Sequence, residues 1–295
     1  MKIGLVDVDS HHFPNLCLMK LSAWHKKQGD AVEWCNLFEH YDRVYMSRVF
    51  DDTYTDDFMT VINADEIIKG GTGYGLNNKL PYEIEHIYPD YSLYPALTKN
   101  IAYGFLTRGC PNNCPFCIVS GKEGRKSYKV ADLSEFFDGQ KNIKLLDPNL
   151  LACKKHMDLL QQLVNSGAWI DFTQGLDARL INPDNVTLLK QIKVKMIHFA
   201  FDLMQNEKKI IEGLRLYKEA TNIDSRKTGV YILTNFNTSH EEDLYRINKV
   251  IELGYKPYVM IFNKNTAPKE TRRLQRWCNN RVIFESTGRN FNNYK

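Results

Sequence analysis

The chain has 295 residues, of which 43% are hydrophobic and 25% charged, and a net charge of +4. These fractions are those of a folded, water-soluble protein and exclude a disordered or fibrous chain. No apolar run approaches the roughly 18 residues that cross a bilayer, and the start MKIGLVDVDSHH has too short an apolar segment for a signal peptide. A cytoplasmic protein of two modest domains is expected.

Residues 2–8 read as a buried strand that ends in the polar run Asp9, Ser10, His11, His12. A helix is predicted over 15–28, with Pro14 suited to its first turn and Gly29 as its stop. Short apolar runs at 31–34, 44–46 and 66–68 are expected strands of a small, mainly parallel sheet, which makes the first part of the chain a Rossmann-like α/β domain. The run GGTGYG at 70–75 has Leu76 where a dinucleotide fingerprint needs its last glycine, so it reads as a tight turn. Asp7, Asp9, His11 and His12 have ligand-type side chains at a strand end and read as hydrated loop residues in preference to a metal site. The stretch LPYEIEHIYPDYSLYP, with Pro81, Pro89 and Pro95, is expected to be an extended linker whose tyrosines pack on a neighbour. The first domain with its linker spans 1–98.

From there the pattern is regular. Strands are predicted at 103–107, 143–147, 169–173, 196–202, 230–235 and 258–263, with helices between them at 154–166, 185–192, 207–221 and 241–253. Successive β/α units imply parallel strands, and right-handed crossovers would curl 99–264 into a partial (β/α)6 TIM-like barrel. Residues 265–295 form a basic C-terminal segment with a net charge of +5, which leaves −1 over the rest of the chain. Such a segment suits a solvated face or a phosphate-bearing partner.

Three of seven cysteines lie in TRGCPNNCPFCIVSGKEGR, at Cys110, Cys114 and Cys117, directly after the first barrel strand. An odd number of cysteines in a chain read as cytoplasmic argues for reduced thiols and, where they cluster, for a metal. Pro111 and Pro115 disfavour a regular helix and let the three side chains converge. Structural zinc wants four ligands, and no second cysteine pair exists; a cubane held by three thiolates keeps one iron open for chemistry. Cys17, Cys35, Cys153 and Cys278 are scattered and read as small buried residues. Lys122, Arg125, Lys126 and Lys129 read as a solvated basic loop.

The motif C-x3-C-x-Phe-C with Phe116, followed by the repeated β/α units, resembles the radical S-adenosylmethionine superfamily over 100–264. The resemblance implies a [4Fe-4S] cluster on Cys110, Cys114 and Cys117, S-adenosylmethionine on its open iron, and a one-electron reductant of flavodoxin or ferredoxin type. It also implies reductive cleavage of S-adenosylmethionine to a 5′-deoxyadenosyl radical that acts on a substrate, with the protein supplying position and exclusion of water. The strand ends offer Asp147 and Asn149 where the family often has a glycine-glycine-glutamate turn, here LLDPNLL. They also offer Arg179 for the methionyl carboxylate, Gln174 or Asn235 for the ribose, and Asp202 for the cofactor's ammonium or the substrate. Polar strand-end residues also serve as helix caps. The backbone of Phe116 is expected beside adenine. The basic tail leans the substrate towards a nucleic acid or nucleotide. A glycyl-radical activase and a non-catalytic metal or electron-carrier protein are the alternatives.

The first domain resembles a degenerate cobalamin-binding domain. Asp9 and His11 match the start of D-x-H-x-x-G, but Pro14 occupies the glycine position, so cobalamin is not expected. Methylthiotransferases need three cysteines there, and only Cys17 and Cys35 precede the motif.

Overall fold

Apolar residues alternating with polar ones build a mixed α/β structure with parallel sheets, seen in a computed structural model that describes residues 1–10, 12–50 and 62–294. His11 and Lys295, which enter the readings above, lie outside the described residues. In chain order the first elements are β1 (Lys2–Asp7), α1 (Leu16–Lys27), β2 (Ala31–Trp34), β3 (Tyr41–Ser47), β4 (Ala64–Gly70), α2 (Tyr82–Glu85), α3 (Pro95–Thr98) and β5 (Ile101–Gly104). There follow β6 (Thr107–Arg108), α4 (Val119–Glu123), β7 (Tyr128–Lys129), β8 (Asn142–Leu145), α5 (His156–Ser166), β9 (Trp169–Phe172), α6 (Pro183–Leu189), β10 (Lys193–Ala200) and α7 (Glu207–Thr221). The last are β11 (Thr228–Thr234), α8 (His240–Glu252), β12 (Pro257–Ile261), α9 (Lys269–Asn279) and α10 (Arg281–Ser286). Among the described residues no helix is long and apolar enough to cross a membrane.

One sheet has the order β2-β1-β3-β4, a second β5-β8-β9-β10-β11-β12, and β6 pairs with β7. The chain divides into two compact units, Met1–Gly104 with Ala131–Ile143 and Phe105–Val130 with Lys144–Lys295.

In the first unit all four strands of the small sheet run parallel. Leu18 and Leu21 of α1 pack on Ile3 and Leu5, while Val6, Tyr41, Val44 and Met46 form a second cluster. The Asn15 side chain accepts from the Leu18 amide at 3.2 Å and caps α1, so Pro14 precedes the helix instead of starting its first turn. Strand order reverses between β1 and β3, the place where doubly wound sheets take ligands. Here the polar groups at that point are spent on one another. Asn15 Nδ2 donates to Ser10 Oγ and Ser47 Oγ, and the Tyr94 hydroxyl donates to Asp7. Asp9, only 1% exposed, accepts from the Val49 and Phe50 amides at 2.7 Å, which corrects its reading as a hydrated residue.

Residues 81–98 are not extended, because the prolines start turns instead of stretching the chain. Pro81 stands at the start of α2 and Pro95 in the first turn of α3. Of their tyrosines, Tyr91 packs as expected, its hydroxyl donating to the Phe136 carbonyl at 2.7 Å, whereas Tyr82 and Tyr88 are exposed. The glycine run does form a turn. A Cβ on Gly71, at φ +94°, would lie 2.3 Å from the Arg48 carbonyl oxygen.

In the second unit β9 pairs with β10, β10 with β11 and β11 with β12, each in parallel. One face of these strands is apolar at its centre, where Ile197, Phe199, Val230 and Ile232 are 0% exposed, with Thr228 and Thr234 buried at the ends of β11. Phe199 meets Tyr217 of α7 edge to face, which identifies this as the helix-covered side. The helix limits follow local chemistry. Ser239 and Glu242 exchange side-chain and backbone hydrogen bonds at the start of α8, and Gly167 ends α5 at φ +63°. The basic C-terminal segment is helical, with α9 burying Leu274, Trp277 and Cys278 while Arg272, Arg273 and Arg276 stay exposed. Of the scattered cysteines, Cys153 and Cys278 are buried as read, but Cys17 and Cys35 are only half-buried.

Candidate functional site

The three motif cysteines lie on a loop whose base is pinned from several sides. Asp147, 4% exposed at the exit of β8, accepts from the Leu106 amide (3.1 Å), the Thr107 amide (2.5 Å) and Thr107 Oγ1 (2.6 Å). The antiparallel pair β6 and β7 closes the loop. Glu123 ties its two ends, accepting from Arg108 Nη1 at 2.8 Å and the Gly109 amide at 3.0 Å, and the Cys110 amide donates to the Gly124 carbonyl. Gly109 sits at φ +76°, where a Cβ would lie 2.3 Å from the Lys126 carbonyl oxygen, so only glycine fits this closure.

Within the loop Cys110 is buried, Cys114 half-buried and Cys117 exposed. The Cys117 amide donates to the Cys114 carbonyl at 3.0 Å. Burial pushes the Cys114 thiol up, the nearby Cys117 and Cys110 push it further, and Arg179 opposes them. Among the described residues, no group of three or more His, Cys, Asp or Glu side chains is drawn close enough to hold a metal ion. A raised thiol keeps its proton, and a bound cationic centre is what would displace it. Three sulfur donors on a proline-interrupted loop with a guanidinium nearby fit a soft iron-sulfur centre by donor chemistry.

Asp177 joins the surrounding segments, a role the sequence reading did not give it. Its carboxylate takes Arg179 through Nε (2.7 Å) and Nη2 (2.6 Å), Asn112 Nδ2 (3.0 Å) from the cysteine loop and Asn149 Nδ2 (3.1 Å) from the β8 exit. Burial alone would raise Asp177, but Arg179, Asn112 and Asn149 outweigh it and hold the carboxyl below its ordinary value. The same Asn149 amide lies 3.6 Å from Cys110 Sγ, and its Oδ1 caps the turn Leu150–Ala152. The closely spaced Asp and Arg in GLDAR were the available signal for this pair.

The remaining candidates lie at other strand ends. Asp202, half-buried after β10, accepts from the Leu233 amide at 2.9 Å, and burial pushes it up to about 6. Asn235 takes φ +61° after β11 and gives one amide hydrogen to the Phe262 carbonyl at 2.8 Å, which leaves its second N–H and its carbonyl oxygen for a ligand. Phe116 meets Phe236 edge to face at 5.2 Å, and Phe236 meets Phe262 at 4.9 Å, which rests the cysteine loop on the ends of β11 and β12. Gln174 is exposed beside a narrow crevice also lined by Leu145, Asp147, Phe172 and Leu176. The structure thus brings together Cys110, Cys114, Asn149 and Arg179, with Phe116 on the same loop. It shows no contact between Gln174 or Asn235 and the cysteines.

Asp147 carries a pH dependence. Burial pushes its carboxyl from the ordinary 3.8 up to about 6, against the donors from Thr107 and Leu106. Between these values the folded chain keeps a proton that the unfolded chain has released. The stabilising contribution is therefore complete below about pH 4 and is lost as pH rises through about 6. Denaturant unfolding from pH 4 to pH 7 should show wild type losing on the order of 2 kcal/mol more than Asp147→Asn. Equal slopes would refute the assignment.

No family model matches the chain, and no curated protein matches it in sequence.

Proposed function

We propose that this chain is a radical S-adenosylmethionine enzyme built on a partial (β/α)6 TIM-like barrel. The observation that carries the reading is the C-x3-C-x-Phe-C loop itself. It follows the first strand of a six-stranded sheet whose order follows the chain, and it is fastened to the strand exits through Asn149, Asp177 and Phe236. In such folds chemistry sits at the C-terminal strand ends.

Cys110, Cys114 and Cys117 would hold a [4Fe-4S] cluster. When bound, that cluster leaves one iron for S-adenosylmethionine and supplies the electron that releases methionine and a 5′-deoxyadenosyl radical. The chain's own residues position and shield. Asp147 anchors the loop base, Asn149 directs an amide at Cys110, and Phe116 with Phe236 covers the loop's apolar side. Arg179 reaches the thiols electrostatically but is already paired with Asp177, so a methionyl carboxylate would share that guanidinium. The reading requires a one-electron reductant of flavodoxin or ferredoxin type and reduced thiols, hence the cytoplasm. The exposed arginines of α9 support a nucleic acid or nucleotide as substrate.

Anaerobic reconstitution with iron and sulfide, then addition of dithionite and S-adenosylmethionine, should release 5′-deoxyadenosine. The Cys110→Ala, Cys114→Ala, Cys117→Ala triple variant should release none. Zinc in place of iron with no product would favour a non-catalytic metal protein. Transfer of deuterium from a partner polypeptide would favour a glycyl-radical activase.

A further inference from the structure

Strand alternation leaves the face opposite Phe199 to polar and aromatic side chains. On that face the rings of His198 and Tyr231 lie parallel within 5°, their centroids 4.8 Å apart. Tyr258, the register partner of Tyr231, stands edge-on to it at 5.8 Å. His198 Nδ1 points to the Phe172 carbonyl at 3.3 Å, and burial lowers the imidazole's pKa, so the ring is neutral near pH 7.

Beside these rings, on β9 and its exit, Asp171 Oδ1 and Thr173 Oγ1 are shut off from water and have no hydrogen-bond partner among the described residues. Lys144 alternates onto the same face of β8, between buried Ile143 and Leu145, and does not bond Oδ1. The Asp171 charge is felt by both His198 and Tyr231. A carboxylate oxygen removed from water without a donor is costly, and the usual reason for such a group is a missing partner.

We infer that this face, with Asp171, Thr173, His198, Tyr231 and Tyr258, binds an organic ammonium group. The cation's N–H donors would satisfy Asp171 Oδ1 and Thr173 Oγ1, and its charge would lie against the electron-rich rings. The same features reject an anion, which the carboxylate repels, and favour the cation over a neutral alcohol, which offers Asp171 Oδ1 only an uncharged donor and the rings no charge. This binding site stands apart from the functional reading above, whose nucleic acid or nucleotide substrate is an anion.

The test uses the full chain, with and without reconstituted iron and sulfide, titrated with benzylammonium chloride, benzyl alcohol and sodium benzoate and followed by ligand-observed NMR. Benzylammonium should bind, benzoate should not, and Asp171→Asn should weaken benzylammonium by about tenfold or more. If thermal melting shows that Asp171→Asn fails to fold, Tyr258→Ala is the substitute, since Tyr258 is 46% exposed and its ring still contributes. Binding of all three probes alike, or benzylammonium binding unchanged in the folded variant, overturns the inference. No benzylammonium binding alongside intact 5′-deoxyadenosine release overturns this inference alone. Binding without release supports it and overturns only the functional reading.

Discussion

Arg246→Met will cost the fold about 3 to 5 kcal/mol, read as a shift of the denaturant unfolding midpoint. Arg246 lies in α8 and is 0% exposed. Its Nη1 donates to the Phe201 and Asp202 carbonyls, both at 2.8 Å, and its Nη2 donates to the Leu233 carbonyl at 2.9 Å and pairs with Asp243. One side chain thus fastens the exit of β10 to the upper part of β11. Methionine fills similar space but strands those carbonyls and leaves the Asp243 carboxylate, which burial already raises, without its cation. Adding Asp243→Leu should recover only part of the loss, because the uncompensated charge disappears while the carbonyls stay without a donor. A single variant within about 1 kcal/mol of wild type would sink this account.

Gly213→Ala should also destabilise, by about 2 to 3 kcal/mol, although alanine is the better helix former by about 1 kcal/mol. Gly213 lies inside α7, where a Cβ would meet the Ala178 carbonyl oxygen at 1.8 Å and its carbon at 2.7 Å. These are backbone atoms of the turn Ala178–Leu180, which no side-chain rotation can move aside. Relief requires α7 or the turn to shift, and the turn carries Arg179 with Asp177 at its cap. Denaturant melts should therefore show the loss. On the proposed function, 5′-deoxyadenosine release by the reconstituted protein should fall further than the fraction unfolded accounts for. If the variant is as stable as wild type or more so, the close approach of helix and turn is wrong.

These two positions show where sequence reading stops. An arginine in a helix with Asp243 and Glu242 nearby reads as a solvated surface residue, and a helical glycine reads as a weak spot. Both meanings are set by carbonyls far away in the chain. The tail is a different case. Its arginines drew attention as charge, yet Leu274, Trp277 and Cys278 recur at helical spacing, and that pattern was enough to indicate a packed helix. The prolines of residues 81–98 were read as extending the chain, when Pro81 and Pro95 open helical turns.

By itself the sequence determined the strands of the two larger sheets and the helices between them to within a few residues, the parallel α/β character and the thiol spacing, but α9, α10 and the β6–β7 pair were not read from it. Those rest on alternation, helical period and C-x3-C-x2-C spacing, all short-range properties of the chain. Only the tertiary structure decided which polar groups are already spent and which are left over. It pairs Arg179 with Asp177, buries Asp147 under the loop and leaves Asp171 Oδ1 without a donor among the described residues. A hydrogen bond depends on groups meeting within about 3 Å, and residues tens of positions apart meet only once the sheet and helices have packed.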